Sequence, residues 1–406
     1  MKGTRYYTSV ALVVTAIFLI LTGRVFAAPT PLPTPPEEDP INLEIGKLLE
    51  IDSKILGEER PILVYTPDDY ASSGAAYPVL YLLDGDYHFH HVTGIVDFLS
   101  KLGRIPRMIV VGIHNIDRNR DFLPTRVNDF PPIAGADKFM TFIREELVPF
   151  MDKNYRTAPY RIICGHSYGG LFDIYFLVNS PGLFQAHIII SPSVYWDNCL
   201  LLKKTRELFK QTPGLKGFLY ITAAGGDKEA IRFATKDFAG LLKKEAPKGF
   251  QWHYRFMEKE DHNSTFHRVF YDALETLYAE WPLSVDQLSR MSLRDIREHY
   301  TKLTRKYGYE IPTAMQTLDR KEYLLREKKK FEEAIDVLEF RVAAYPGSAA
   351  AHFKLGRLYE AVGKMDLAKK NFEKAVELGE QVKDSRLSMY KEALALLLKK
   401  SEFNLD

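Results

Sequence analysis

The chain has 406 residues, 46% hydrophobic and 27% charged, with 55 basic and 53 acidic side chains and a net charge of +2. That length suits two or three domains, and that charge balance gives no basis for nucleic-acid binding or a polybasic membrane contact. Two cysteines, Cys164 and Cys199, exclude a disulfide framework.

In chain order, Lys2 and Arg5 precede an apolar run from Val10 to Leu21, which is short for a membrane span. Val25-Phe26-Ala27 supplies small residues for cleavage, so residues 1–27 read as an export signal and the mature protein as periplasmic or secreted. No cysteine follows the apolar run to carry a lipid anchor. Residues 28–40 form a Pro-rich linker. From 41 to 283 strands alternate with helices, the pattern of an α/β domain. The strand candidates are Ile62–Tyr65, Val79–Leu83, Met108–Ile113, Arg161–Cys164, His187–Ser191, Phe218–Ala223 and Trp252–Met257. Their near-continuous apolar character suits a parallel sheet buried on both faces. Helices are predicted over Thr93–Ser100, Asp137–Met151, Leu171–Val178, Lys228–Lys244 and Phe266–Trp281.

Residues 284–406 change character to long charged helices. Leu355-Gly356, Tyr359, Gly363, Ala368, Phe372 and Ala375 carry a tetratricopeptide signature between Ser348 and Leu378. An upstream unit is suggested by Phe331 to Ile335 and Tyr345-Pro346, and a helix from Asp384 to Lys400 would cap the array. So few repeats do not stand alone, so the tail should dock on the α/β domain or on a protein partner. Lys328-Lys329-Lys330 reads as a solvated helix face.

The chemistry is carried by Gly165-His166-Ser167-Tyr168-Gly169-Gly170. It matches the G-x-S-x-G elbow, in which a serine sits on a strained turn between a buried strand and a helix. A serine hydroxyl needs a base, and the base an orienting acid, in the chain order Ser, Asp/Glu, His. His262 is the base candidate, because it falls between the last strand and the last helix of the α/β pattern. His253 and His267 fall inside those elements. Asp227 and Glu229, in Gly225-Gly226-Asp227-Lys228-Glu229, are both open as the acid. Asp261 adjoins His262 and cannot easily reach the far imidazole nitrogen.

The oxyanion hole would combine the Tyr168 N–H with the Asp86 N–H, in the loop after Val79–Leu83, where Gly85 permits a tight turn. Asp84, Asp86, His88, His90 and His91 match no standard metal-ligand spacing, and serine chemistry needs no metal or cofactor. Tyr168, Tyr195 and Trp196 are expected to line a substrate pocket, with Tyr195 and Trp196 as the substrate-binding pair. Arg118, Arg120 and Asp121 either bind an anionic substrate group or order their own loop. Asn263-Ser264-Thr265 is a glycosylation sequon that would matter only in a eukaryotic secretory pathway.

Residues 77–86, 165–170, 190–196, 225–229 and the Asp261-His262 pair together resemble the "Putative esterase" family of α/β hydrolases, nearest its siderophore-esterase branch. The resemblance covers about 240 residues and excludes the helical tail. It implies an α/β-hydrolase fold with a mostly parallel sheet and serine esterase activity on a small ester or lactone. It also implies Ser167 as nucleophile, His262 as base, Asp86 in the oxyanion hole, and Glu229 rather than Asp227 as acid. Asn263-Ser264 stands where the family has Gly-Ser after the histidine. The competing readings are an acyltransferase with the same triad and a non-enzymatic interaction protein acting through its tail.

Overall fold

The computed structural model describes residues 43–71 and 73–403. The export signal and the Pro-rich linker read from the sequence lie outside them. Ile45–Asp406 clusters as one compact unit.

Eight strands form one sheet: β1 (Lys47–Ser53), β2 (Glu58–Tyr65), β3 (Tyr77–Leu82), β4 (Ile109–Ile113), β5 (Thr157–His166), β6 (Ala186–Ile190), β7 (Gly217–Ala224) and β8 (Phe250–Met257). Their order is β1-β2-β4-β3-β5-β6-β7-β8. β1 and β2 pair antiparallel, as do β2 and β4; the remaining pairs are parallel. β3, β4 and β6 are buried at every position, because helices cover both faces of a parallel sheet. β8 at the edge is buried only at Phe250 and otherwise mixes half-buried and exposed residues. β1 has no counterpart among the predicted strands. Its KLLEIDS sequence buries only Ile51 and Ser53, so it carries too little apolar signal to stand out.

The helices are α1 (Gly85–Lys101), α2 (Arg118–Phe122), α3 (Ala136–Phe142), α4 (Val148–Asn154), α5 (Tyr168–Asn179), α6 (Trp196–Gln211), α7 (Glu229–Glu245) and α8 (Thr265–Leu277). The single helix predicted over Asp137–Met151 is α3 and α4 joined by a π turn at Ile143–Leu147. Pro149 lacks the N–H that would bond the Glu145 carbonyl, which explains the break in the ladder. The segment after β3 is not a free loop. α1 starts at once at Gly85, with Asp84 in the left-handed region (φ 53°). Gly85 is needed for close approach: a Cβ there would fall 2.5 Å from the Gly112 backbone of β4.

α1 and α8 meet through rings. His88 stacks on Phe266 at 3.6 Å and shares a 2.9 Å hydrogen bond with His91. His166 lies edge-on to both His88 and Phe266. Burial pushes the imidazoles down, His88 to about 3 and both His91 and His166 to about 4.

Beyond α8 follow α9 (Val285–Arg290), α10 (Leu293–Tyr307), α11 (Met315–Glu327), α12 (Phe331–Ala344), α13 (Ala349–Ala361), α14 (Met365–Gln381) and α15 (Leu387–Phe403). The compositional change after residue 283 is not a change in packing. Trp281, Leu283, Leu288, Ile296, Tyr300, Leu303 and Tyr307 share one buried cluster with Leu80, Val110 and Ile162 of the sheet. Tyr160 of β5 packs edge-on against Tyr307 at 5.2 Å, and the Tyr307 hydroxyl donates to the Leu277 carbonyl. The tail thus docks within its own chain through α9 and α10. The repeat helices hold a second cluster around Leu318, Leu338, Leu355, Ala368 and Phe372. Lys328-Lys329-Lys330 is exposed as expected, but in the turn between α11 and α12 rather than on a helix face.

Two stability tests follow from this packing. Truncation after Leu283 strips α9 and α10 from a shared core, and the fragment should be insoluble or melt far below the full chain. Truncation after Pro312 keeps that cluster and should stay soluble; equal melting of the two fragments would contradict the assignment. The second test uses the buried histidines. An unfolded chain takes up protons as pH falls through about 6.5, whereas these folded imidazoles resist until about 4. The unfolded state then binds more protons, so stability is lost as pH falls across that window. Tm should drop by several degrees between pH 7 and pH 5, and by less in His91→Leu. An equal drop in that variant would contradict the mechanism.

Candidate active site

Ser167 is the hinge between β5 and α5. Its backbone is at φ 58°, ψ −114°, a conformation that costs a non-glycine residue about 1–3 kcal/mol. Strand and helix cross so tightly that a Cβ on Gly165 would stand 2.3 Å from the Gly169 carbonyl oxygen. The neighbouring strand fastens this turn on both sides. The Ser167 N–H donates to the Ile190 carbonyl at 3.0 Å, and the Ser193 N–H donates to the Ser167 carbonyl at 3.1 Å.

Two loops carry the partners to the serine, and they are laced together. The Gly225 N–H donates to the Met257 carbonyl and the Gly226 N–H to the Glu260 carbonyl. This lacing sets Asp227, just past β7, against His262, between β8 and α8. His262 Nδ1 donates to Asp227 Oδ1 at 2.6 Å. The second carboxylate oxygen accepts from the Ala224 N–H at 2.6 Å and from the Ser191 hydroxyl at 2.8 Å. Burial pushes the Asp227 carboxyl up, but the bonds from His262, Ala224 and Ser191 outweigh it and hold it below the usual carboxylate range. The carboxylate is therefore ionised and accepts the Nδ1 proton, which leaves Nε2 of His262 as a proton acceptor.

The preference for Glu229 is corrected here. Its side chain is 78% exposed and its ion-pair partner is Arg232 at 3.8 Å, while the Asp227 side chain is fully buried on His262. Glu229 opens α7 and faces away because Asp227 ends the preceding turn, its N–H bonded to the Ala224 carbonyl.

Ser167 and His262 line one cavity of about 400 Å³, together with Asp86, Tyr87, Arg118 and His166. A larger cleft of about 720 Å³ lies at the other ends of the strands, against Ala158, Tyr309 and Tyr345, and has no histidine among its described lining residues. Asp86 and Tyr168 lie in the first turns of α1 and α5. N–H groups there lack helical acceptors, and both helix dipoles present their positive ends. Asn115 holds this rim by donating to Asp84 at 2.7 Å and Asp86 at 3.1 Å. Arg118 grips Asp84 with Nε at 2.6 Å and Nη2 at 2.9 Å and reaches the His166 carbonyl at 3.0 Å. His166 Nε2 in turn donates to the His262 carbonyl at 2.7 Å.

Other expected site residues are placed differently. Arg120 and Asp121 close a network with Arg60 and Glu58 of β2 and so order their own segment. Tyr168, Tyr195 and Trp196 are not among the cavity's lining residues. Trp196 is 8% exposed, donates to Thr125 at 3.1 Å and packs edge-on against Tyr168 at 5.6 Å. Its ring packs into the core cluster, just ahead of a left-handed turn at Asp197, Asn198 and Cys199 that precedes the regular part of α6. Tyr87 does line the cavity and is 75% exposed. Its place one residue after Asp86 was the only sequence signal for it. The sequence marks Ser191 as a strand end and as part of the 190–196 motif, with no role of its own.

Comparison with known proteins agrees with this fold. The "Putative esterase" family model matches residues 53–264, just over half of the chain, and a tetratricopeptide repeat model matches residues 349–381. Ferri-bacillibactin esterase BesA of Bacillus subtilis is 35% identical over 176 residues, 38% of this chain and 61% of that protein. A siderophore enterobactin esterase of Emericella nidulans is 39% identical over 165 residues, 34% of this chain and 52% of that protein. The chain thus spans between half and two thirds of these relatives' lengths. The crystal structure of an IroE-like serine hydrolase from Shewanella oneidensis is 27% identical, with a TM-score of 0.64 over 72% of this chain and 97% of that one. By the match over residues 53–264, the chain belongs to the "Putative esterase" family.

Proposed function

We propose that the protein is a serine hydrolase of small carboxylic esters or lactones. The observation that carries this reading is the 2.6 Å His262–Asp227 bond at a cavity shared with Ser167. In it the Ser167 hydroxyl attacks the ester carbonyl and passes its proton to His262 Nε2. Asp227 orients His262 and stabilises the imidazolium that forms. The Asp86 and Tyr168 N–H groups receive the oxyanion. His262 then protonates the departing alcohol. A water, deprotonated by the same imidazole, attacks the acyl-enzyme; the acyl–Oγ bond breaks, the imidazolium returns its proton to Ser167 Oγ, and the acid is released. No step requires a metal or cofactor.

The substrate proposed is a siderophore-type ester or lactone. Its support is that one relative similar to this chain is described as a ferri-bacillibactin esterase and another as a siderophore enterobactin esterase. The division of labour proposed is that residues 41–283 perform the chemistry, while 284–406 act on stability and on the choice of a protein partner. Residues 1–27 are proposed as the export signal of a periplasmic or secreted enzyme.

The test is turnover of a p-nitrophenyl ester by three variants. Ser167→Ala should lower kcat below about one hundredth of wild type, and more than about a tenth remaining would remove Ser167 as nucleophile. Asp227→Ala should cost about a hundredfold or more, and Glu229→Gln no more than about twofold. The reverse order would return the acid to Glu229. A parallel screen should rank a trilactone above simple short-chain esters; no turnover of it would reject the siderophore-type substrate.

A further inference from the structure

The reaction engages one oxygen of Asp227, and the other is held by a residue to which the mechanism gives no part. Asp227 Oδ2 accepts from the Ala224 N–H and from the Ser191 hydroxyl at 2.8 Å. Ser191 is fully buried, one residue past the end of β6. Its N–H is tied to the Thr222 carbonyl at 3.0 Å. Its backbone sits at φ 43°, in the left-handed region that glycine tolerates and serine enters at a cost.

The position of this residue is informative. β6 lies between β5, which ends at the nucleophile, and β7, which ends at the acid. Ile190 and Ser193 bond the two sides of the Ser167 peptide. Between them, Ser191 bonds the acid. One four-residue segment therefore fastens the backbone of the proposed nucleophile and the side chain of its distant acid. With Oδ2 pinned from two directions, the Asp227 carboxylate keeps Oδ1 toward His262 Nδ1. Without the hydroxyl, Oδ2 would keep a single donor and the carboxylate could rotate about its terminal bond, for which side-chain preferences are broad.

We propose that Ser191 is a positioning residue for the triad: its hydroxyl sets the Asp227 carboxylate, and through it the orientation of His262. This rests on the Ser167–His262–Asp227 reading above. A serine that only filled space would leave kcat unchanged once the fold was intact. The left-handed backbone provides a clean way to separate the two roles. Glycine at 191 removes the hydroxyl but suits φ 43°, so it relieves strain while deleting the bond.

The experiment measures kcat, KM and Tm on a p-nitrophenyl ester for Ser191→Gly, Ser191→Ala, Asp227→Ala and the Ser191→Gly/Asp227→Ala double variant. Ser191→Gly should lose about tenfold in kcat with KM within about twofold, and should melt no lower than Ser191→Ala. In the Asp227→Ala background the glycine should change kcat by less than about twofold, because the carboxylate it positions is gone. Wild-type kcat in Ser191→Gly beside a collapsed Asp227→Ala would overturn the proposal and leave the triad standing. Equal losses with and without Asp227 would assign Ser191 to structure alone. Wild-type kcat in Asp227→Ala would overturn the acid assignment, and this proposal with it.

Discussion

The turn at Ser167 is the constraint on which the rest of the site depends. β5 and α5 cross with no room for a side chain at Gly165, and the serine between them is forced to φ 58°. That geometry is unfavourable for an isolated peptide, and the surroundings must hold it. They do so with backbone bonds to Ile190 and Ser193 and with α5 buried behind it from Gly169 to Leu177. Because the chain turns into a helix within one residue, the Tyr168 N–H is left in an unbonded first turn beside the hydroxyl. The same sharp turn brings the His166 carbonyl within reach of Arg118, which draws in Asp84 and the start of α1. The strained residue thus locates both proposed oxyanion donors.

The titratable groups around it divide by environment. His166 and His262 stand 4.5 Å apart between ring centroids, yet their surroundings differ. His166 is buried among rings, held neutral, and uses Nε2 to fix the backbone of its neighbour. His262 has an ionised carboxylate on Nδ1 and is among the residues that line the cavity. One imidazole is a strut, and the other is the base of the proposed reaction. This arrangement keeps the second histidine from repelling the imidazolium that the proposed reaction forms.

Much of this was legible in the sequence, and the failures have physical causes. The elbow, the parallel strands and the placement of His262 follow from steric and periodic rules that act locally. The choice between Asp227 and Glu229 does not. Two residues apart at the end of one strand, both satisfy every spacing argument, and only the lacing of Gly225 and Gly226 to the segment around His262 decides which one turns inward. The bond from Ser191 to Asp227 is invisible for a similar reason, although Ser191 lies in the 190–196 motif, since its partner is 36 positions away on the neighbouring strand's loop. The position of Trp196 after a strand end points to the pocket, but its ring packs in the core, ahead of a left-handed turn at Asp197 to Cys199. The tail shows the opposite effect. Composition changes sharply after residue 283, yet apolar residues on α9 and α10 continue the core of the sheet.

The most direct measurement is a crystal structure of the protein reacted with a p-nitrophenyl phosphonate, which leaves a tetrahedral adduct in place of the reaction's intermediate. The account predicts phosphorus bonded to Ser167 Oγ, one phosphoryl oxygen within about 3 Å of both the Asp86 and Tyr168 N–H groups, and His262 still bonded to Asp227. An adduct on another residue, or a phosphoryl oxygen turned away from those two N–H groups, would contradict it.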